Sequence, residues 1–191
     1  LLEGQMRRKD GGFGPPFDHM TLRVSLPDGD WVADVGNGET FQLPLPWDGS
    51  WTPQERGGAY RVIQREENPP TTEARSESAP SWQIEYRRDQ SSESEIVYRF
   101  SSASRTPSDF RPMCVFHATS LKSLFTKGWI ITRPLERGGR ITAARGLLMT
   151  TQDGRMERHG IGSAKGLEAI LSHDFGMLPV GVPPTWFSRG S

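Results

Sequence analysis

Residues 11–38 read Gly11-Gly12-Phe13-Gly14-Pro15-Pro16-Phe17-Asp18-His19-Met20-Thr21-Leu22-Arg23-Val24-Ser25-Leu26, then Pro27-Asp28-Gly29-Asp30, then Trp31-Val32-Ala33-Asp34-Val35-Gly36-Asn37-Gly38. From His19 to Leu26 polar and apolar residues alternate strictly, which is the two-residue period of a strand. Pro27 to Asp30 is a turn signal, and Trp31 to Val35 resumes the extended pattern. The stretch therefore predicts an antiparallel β-hairpin flanked by two Gly-rich loops. With Asp28-Gly29 as a two-residue turn, Leu26 pairs with Trp31 and Arg23 with Asp34. Met20, Leu22, Val24, Trp31, Ala33 and Val35 then share the apolar face, and His19, Thr21, Asp34 and Gly36 share the other.

A histidine and a carboxylate on one face can form an orienting pair, in which the carboxylate holds the imidazole tautomer and stabilises its charged form. The ideal register does not bring them into contact. It sets His19 opposite Gly38, four residues or roughly 13 Å from the row of Asp34 at about 3.3 Å per residue. A two-residue shift, or a bulge near Pro27, brings the two within diagonal reach. A three-residue Pro-Asp-Gly loop puts them on opposite faces.

Outward from the hairpin, residues 58–64, 82–88 and 96–100 read as further strands. Residues 66–81, rich in Pro, Ser and Glu, read as a mobile surface loop. Leu1 to Met6 reads as the middle of a strand, with neither an initiator methionine nor a signal-peptide layout. The character changes near residue 106. Thr106-Pro107-Ser108-Asp109 has the layout of a helix N-cap with proline at the first position. Phe110, Met113, Cys114 and His117 follow at helical spacing. Strands are predicted at 129–131, 139–144 and 147–151, with a hairpin turn at 152–155. A helix over Ser163 to Phe175 carries Leu167, Ile170, Leu171 and Phe175 on one stripe and closes at Gly176. Strands thus come first and mixed strand and helix follow: an α+β chain that is mostly β.

Composition bounds the function. With 21 Gly and 15 Pro in 191 residues, the pair is about a fifth of the chain, below the roughly 25–30% of low-complexity sequence. Leu, Ile, Val and Phe also come to about a fifth, which predicts a thin core. Together with the mid-strand start, that thinness leads to the expectation that an N-terminal portion belongs before Leu1. Lys plus Arg and Asp plus Glu balance at 23 each, which argues against non-specific nucleic-acid binding. No apolar run approaches a membrane span. A lone Cys114 cannot form an internal disulfide, as expected of a cytoplasmic chain. His19, His117, His159 and His173 show no zinc-ligand spacing, so no metal is expected, and no phosphate loop or dinucleotide fingerprint is present.

The segment GGFGPPFDHM at 11–20, followed by TLRV and by WVADVGNG at 31–38, resembles the arylamine N-acetyltransferase family. Asp109-Phe110, Cys114 through Ser120 (CVFHATS), Ser123 through Thr126 (SLFT), Gly139 through Thr142 and the closing helix continue the resemblance in the family's order, over nearly the whole chain. The resemblance implies an antiparallel β-barrel domain over residues 1–107 that carries the catalytic His19 and Asp34. It implies an α/β lid over 108–191, in a fold with a cysteine-protease-like triad. It also implies a helical domain ahead of the barrel, bearing the nucleophilic cysteine in an R-G-G-x-C type motif that these residues lack, so the chain alone is expected to be inactive. The implied reaction is a ping-pong transfer of acetyl from acetyl-CoA to an arylamine, hydrazine or related amine. Phe17 and Asp18 match the acceptor cleft. Phe116, Thr119, Ser120 and Ser123 match the CoA-contacting stretch, where Lys122 adds a charge for a phosphate. Cys114 matches a non-catalytic position and reads as a small buried hydrophobe. Two alternatives stay open: a pseudoenzyme that binds CoA or a partner without chemistry, and another transglutaminase-like Cys–His–Asp acyl transferase or peptidase.

Overall fold

The computed structural model describes residues 1–38, 40–55, 57–65, 82–135, 139–144, 146–152 and 155–178. The loop expected at 66–81 lies outside these residues. The chain divides into two compact units, Leu1–Met113 and Cys114–Ser191.

Among the described residues the first unit holds eight strands: β1 (Leu2–Met6), β2 (His19–Leu26), β3 (Gly29–Ala33), β4 (Leu45–Pro46), β5 (Thr52–Pro53), β6 (Ala59–Gln64), β7 (Trp82–Arg87) and β8 (Glu95–Phe100). They form one antiparallel sheet in the order β4-β3-β2-β1-β8-β7-β6-β5. The sheet curls until β4 comes against β6, a nearly closed barrel. Its interior is filled by Leu2, Val32, Phe41, Leu45, Val62, Ile84, Tyr98 and Phe100. Trp47 packs at a tilt against Trp82, ring centroids 4.6 Å apart, joining the end of β4 to β7.

The period of β2 is as expected, but the face turned inward is the polar one. Thr21 and Val32 are fully buried, whereas Met20, Val24 and Leu26 are exposed. The barrel tolerates a polar interior here because its hydroxyls are satisfied. Thr21 Oγ1 donates to the carbonyl of Ala33 at 3.1 Å and accepts from the Tyr98 hydroxyl at 3.1 Å. Trp31 and Trp82 are half-buried.

After β8 the chain turns through a 3₁₀ turn, Pro107–Phe110, into α1 (Arg111–Thr119). The Asp109 carboxylate accepts from both the backbone N–H of Thr106 (2.7 Å) and its hydroxyl (2.9 Å), closing the expected cap. Only Phe110 of the predicted stripe is buried; Cys114 is exposed, against expectation.

The second unit holds β9 (Ile130–Pro134), β10 (Arg140–Ala144), β11 (Leu147–Gln152) and β12 (Arg155–Gly160), an antiparallel meander in that order, and α2 (Ala164–Phe175). Ser163 Oγ accepts the N–H of Gly166 at 3.1 Å and caps α2. Gly176, with φ 64°, ends it in the left-handed conformation that glycine adopts without strain. Leu167 and Leu171 of the predicted stripe are buried with Ala143 and Ile161, and Ile170, Phe175 and Trp129 pack around them. Among the described residues no helix is long and apolar enough to cross a membrane.

Candidate active site

The hairpin register decides the site. The structure pairs Leu22 with Ala33, Val24 with Trp31 and Leu26 with Gly29. The connection is therefore Pro27-Asp28, one residue ahead of the Asp28-Gly29 turn, which shifts the strand pairing by two residues. Side-chain chemistry explains the shift. Ser25 stands opposite Asp30 in this register. The Asp30 carboxylate is bonded by the Arg23 guanidinium and by Ser25 Oγ, and these bonds hold its pKa below the ordinary aspartate value. Continued by one row beyond Leu22–Ala33, the register sets Asp34 opposite Thr21, diagonal to His19 on one face.

There the pair meets. His19 Nε2 lies 2.6 Å from Asp34 Oδ2; the Asp34 side chain is fully buried and that of His19 is 10% exposed. A carboxylate only accepts, so the ring proton sits on Nε2 and leaves Nδ1 as the basic nitrogen. The second oxygen of Asp34 is also engaged, accepting the backbone N–H groups of Gly36 (3.0 Å) and Asn37 (3.2 Å). The Gly-rich loop after β3 thus locks the carboxylate against rotation.

Three neighbours that the sequence reading did not single out hold the imidazole. Gly4 of β1 stands directly opposite His19, and a Cβ there would come within 3.3 Å of His19 Cβ. A Cβ on Gly36 would sit 3.6 Å from His19 Cε1 on another side of the ring. Tyr98 packs edge-on to His19 with centroids 4.9 Å apart. Burial, and then the charge of Asp34, push the Tyr98 phenol well above its usual range, so it stays neutral beside the pair. Tyr98 is recognisable in the sequence as a strand residue, but its approach to Thr21, 77 residues away, is not.

The segment before His19 is braced as well. Phe17 has φ 65°, a left-handed conformation that strains a bulky side chain. Its ring meets Phe110 edge-on at 5.2 Å and lies beneath the Arg105 guanidinium at 5.5 Å. Arg105 in turn binds Glu3, a carboxylate 1% exposed, at 2.7 Å and 3.0 Å. Asp18 folds back over Gly14, where a Cβ would land 1.9 Å from its Oδ2.

The four residues matched to CoA contact lie on α1 and the turn after it. Phe116 and Thr119 are exposed and Ser120 is half-buried. Their hydroxyls already work locally: Thr119 Oγ1 donates to the Val115 carbonyl, and Ser120 Oγ accepts from the N–H of Lys122. Ser123 is buried and organises the turn, donating to the His117 carbonyl and accepting from the N–H of Phe125. Among the described residues no group of three or more His, Cys, Asp or Glu gathers as metal ligands would.

Comparison with known proteins follows this geometry. An N-acetyltransferase family profile matches residues 1–180. A curated relative, the arylamine N-acetyltransferase / N-hydroxyarylamine O-acetyltransferase of Salmonella typhimurium, is 25% identical over 165 residues, covering 85% of this chain and 53% of the relative. The chain thus spans about half the length of the curated relative it matches. An arylamine N-acetyltransferase of Bacillus cereus, described as having a Cys-His-Glu catalytic triad, is similar in structure. Its TM-score is 0.74 at 15% identity, with 93% of this chain and 65% of that one covered. The Mycobacterium marinum arylamine N-acetyltransferase in complex with CoA gives 0.69 at 22% identity, with 92% and 60% covered.

Proposed function

The chain belongs to the arylamine N-acetyltransferase family, and from that premise we propose that it serves acetyl transfer from acetyl-CoA to an arylamine, hydrazine or related amine. In this reading His19 is the base and Asp34 its orienting carboxylate. One observation carries it: the 2.6 Å contact between a buried carboxylate, itself held by two backbone N–H groups, and the His19 imidazole.

Nδ1 of His19 takes the proton of a cysteine thiol, and the thiolate, the reactive form, attacks the acetyl carbonyl. The bond from carbonyl carbon to CoA sulfur breaks, and CoA leaves with the proton from the imidazolium. In the second half the amine nitrogen attacks the new thioester and gives its proton to His19, and the cysteine departs as thiol. Asp34 stabilises the imidazolium in both halves. The R-G-G-x-C type motif does not occur in these 191 residues, and Cys114 matches a non-catalytic family position. The thiol in this reading is therefore one that these residues do not supply. Phe17 and Asp18 border the acceptor. Phe116, Thr119 and Ser120, with Lys122, offer a surface to the donor, while Ser123 shapes the turn that presents them.

Intact-mass measurement after mixing with acetyl-CoA tests the proposal, on the 191-residue chain and on the whole product of its gene. The chain is expected to stay unmodified and the gene product to gain one acetyl group. His19→Ala should slow that gain by about 10²- to 10⁴-fold, the usual contribution of a general base. Acetylation of Cys114, or transfer indifferent to His19→Ala, would sink the reading. A gene product that takes up no acetyl group would favour the non-catalytic alternative.

A further inference from the structure

The chain contains two asparagines, Asn37 and Asn68. An asparagine loses its side-chain nitrogen as ammonia when the backbone nitrogen of the next residue closes on its Cγ, and that nitrogen must carry a proton to give up. Asn68 is followed by Pro69, whose nitrogen carries none, so the route is closed there. Asn37 is followed by Gly38, whose nitrogen carries one and has no Cβ beside it to hinder the approach. The capacity of the chain for this reaction thus falls on one residue, in the loop that holds Asp34.

The surroundings of Asn37 suit the reaction. Its N–H donates to Asp34 Oδ1 at 3.2 Å, and its carbonyl accepts the N–H of Thr40 at 3.2 Å and the Thr40 hydroxyl at 3.1 Å. Ring closure leaves that N–H untouched and that carbonyl oxygen an acceptor, so neither bond has to break. The residue is half-buried on the wall of a cavity of about 560 Å³, with Nδ2 3.8 Å from the Met6 sulfur. Water in that cavity supplies the second reactant. Arg7, Arg8 and Lys9 follow Met6 and line the same cavity, against one carboxylate, Glu95, among its described lining residues. Their excess of positive charge favours both the anionic nitrogen that attacks and the carboxylate that forms.

We propose that Asn37 is a self-modifying site, converted in the folded chain to aspartate and isoaspartate, with Arg8 and Lys9 promoting the step. The Gly38 nitrogen gives its proton to water or hydroxide and bonds to Asn37 Cγ. The Cγ–Nδ2 bond breaks, and ammonia leaves after taking a proton from water. Water then opens the cyclic imide. Attack at Cγ gives aspartate on the original main chain; attack at the backbone carbonyl gives isoaspartate, with the main chain rerouted through Cβ and Cγ. An amide and water have become an acid and ammonia, and nothing is oxidised or reduced. Either product adds a carboxylate to the loop whose N–H groups hold Asp34. The step needs neither an acetyl donor nor an acceptor amine.

Incubation of the 191-residue chain in warm buffer, followed by intact mass and peptide mapping, tests the proposal without any need for turnover. The mass should rise by the difference between an amide and an acid, and mapping should place the change in the peptide carrying Asn37. Isomerisation at an Asp-Gly pair such as Asp28-Gly29 leaves the mass unchanged and does not interfere. The rate should rise severalfold from neutral to mildly alkaline pH, and the folded chain should convert at least as fast as the same chain unfolded in guanidinium chloride. Replacing Arg8 and Lys9, both exposed, by glutamine should slow the folded chain about threefold, the size of an exposed charge effect. Asn37→Gln should abolish the gain over the same period, because the longer side chain closes a larger ring far more slowly. In nuclear magnetic resonance spectra of the isotopically labelled chain, the Gly36 amide should move as the mass rises and stay in place in Asn37→Gln. A folded chain that gains no mass while the unfolded chain does would overturn the proposal. So would a gain undiminished in Asn37→Gln, a rate indifferent to the two cations, or a Gly36 amide that does not move.

Discussion

Arg105 illustrates how much can rest on one residue. It binds the buried Glu3 and covers the ring of Phe17, the strained residue two positions before His19. Removing it leaves Glu3 as an uncompensated buried charge, which costs about 3–5 kcal/mol. Urea unfolding of Arg105→Ala should show a loss of that order. Arg105→Met combined with Glu3→Gln should recover much of it, because neither charge is then stranded. A single Arg105→Ala variant as stable as the parent would refute this account. Nothing in the local sequence around Arg105 announces the contact, since its partner lies 102 residues away. His19 and Asp34, by contrast, each mark themselves by sitting where a strand meets a Gly-rich loop.

At the scale of elements, strand period was legible and strand orientation was not. His19 to Leu26 forms the strand that its alternation implies. Alternation alone, however, leaves open which face turns inward. The outcome depends on Tyr98 arriving from β8 to satisfy Thr21. Register was open for a related reason: both two-residue loops lie within Pro27–Asp30, and the Arg23–Ser25–Asp30 cluster selects between them. That cluster makes the hairpin acid-sensitive. Asp30 titrates below its unfolded value, so its contribution is complete above about pH 4 and fades as pH falls through the lowered folded value. Amide exchange in β2 and β3, corrected for intrinsic rates, should therefore accelerate on acidification below pH 4. In Asp30→Asn that acid step should disappear. Helix α2 was the most legible element, because its cap, apolar stripe and terminal glycine all lie within one short segment.

Across the whole molecule, the thin composition is accommodated by two small cores, one in each unit, instead of one large core. The first encloses Tyr98, whose neutral phenol sets an alkaline limit. Its pKa is raised in the folded state, so its contribution is complete below the unfolded value near 10 and is lost as pH climbs toward the folded one. Stability should fall above pH 10, and Tyr98→Phe should flatten that decline even though it loses the Thr21 hydrogen bond. Urea midpoints measured from pH 8 to 11 decide the matter; parallel declines in the two proteins would count against it. The exposed Cys114 carries a practical consequence of another kind. As the one sulfhydryl in 191 residues, open to solvent, it offers a unique point for attaching a maleimide dye or spin label. Left in air without a reducing agent, it is also where two copies will become covalently joined.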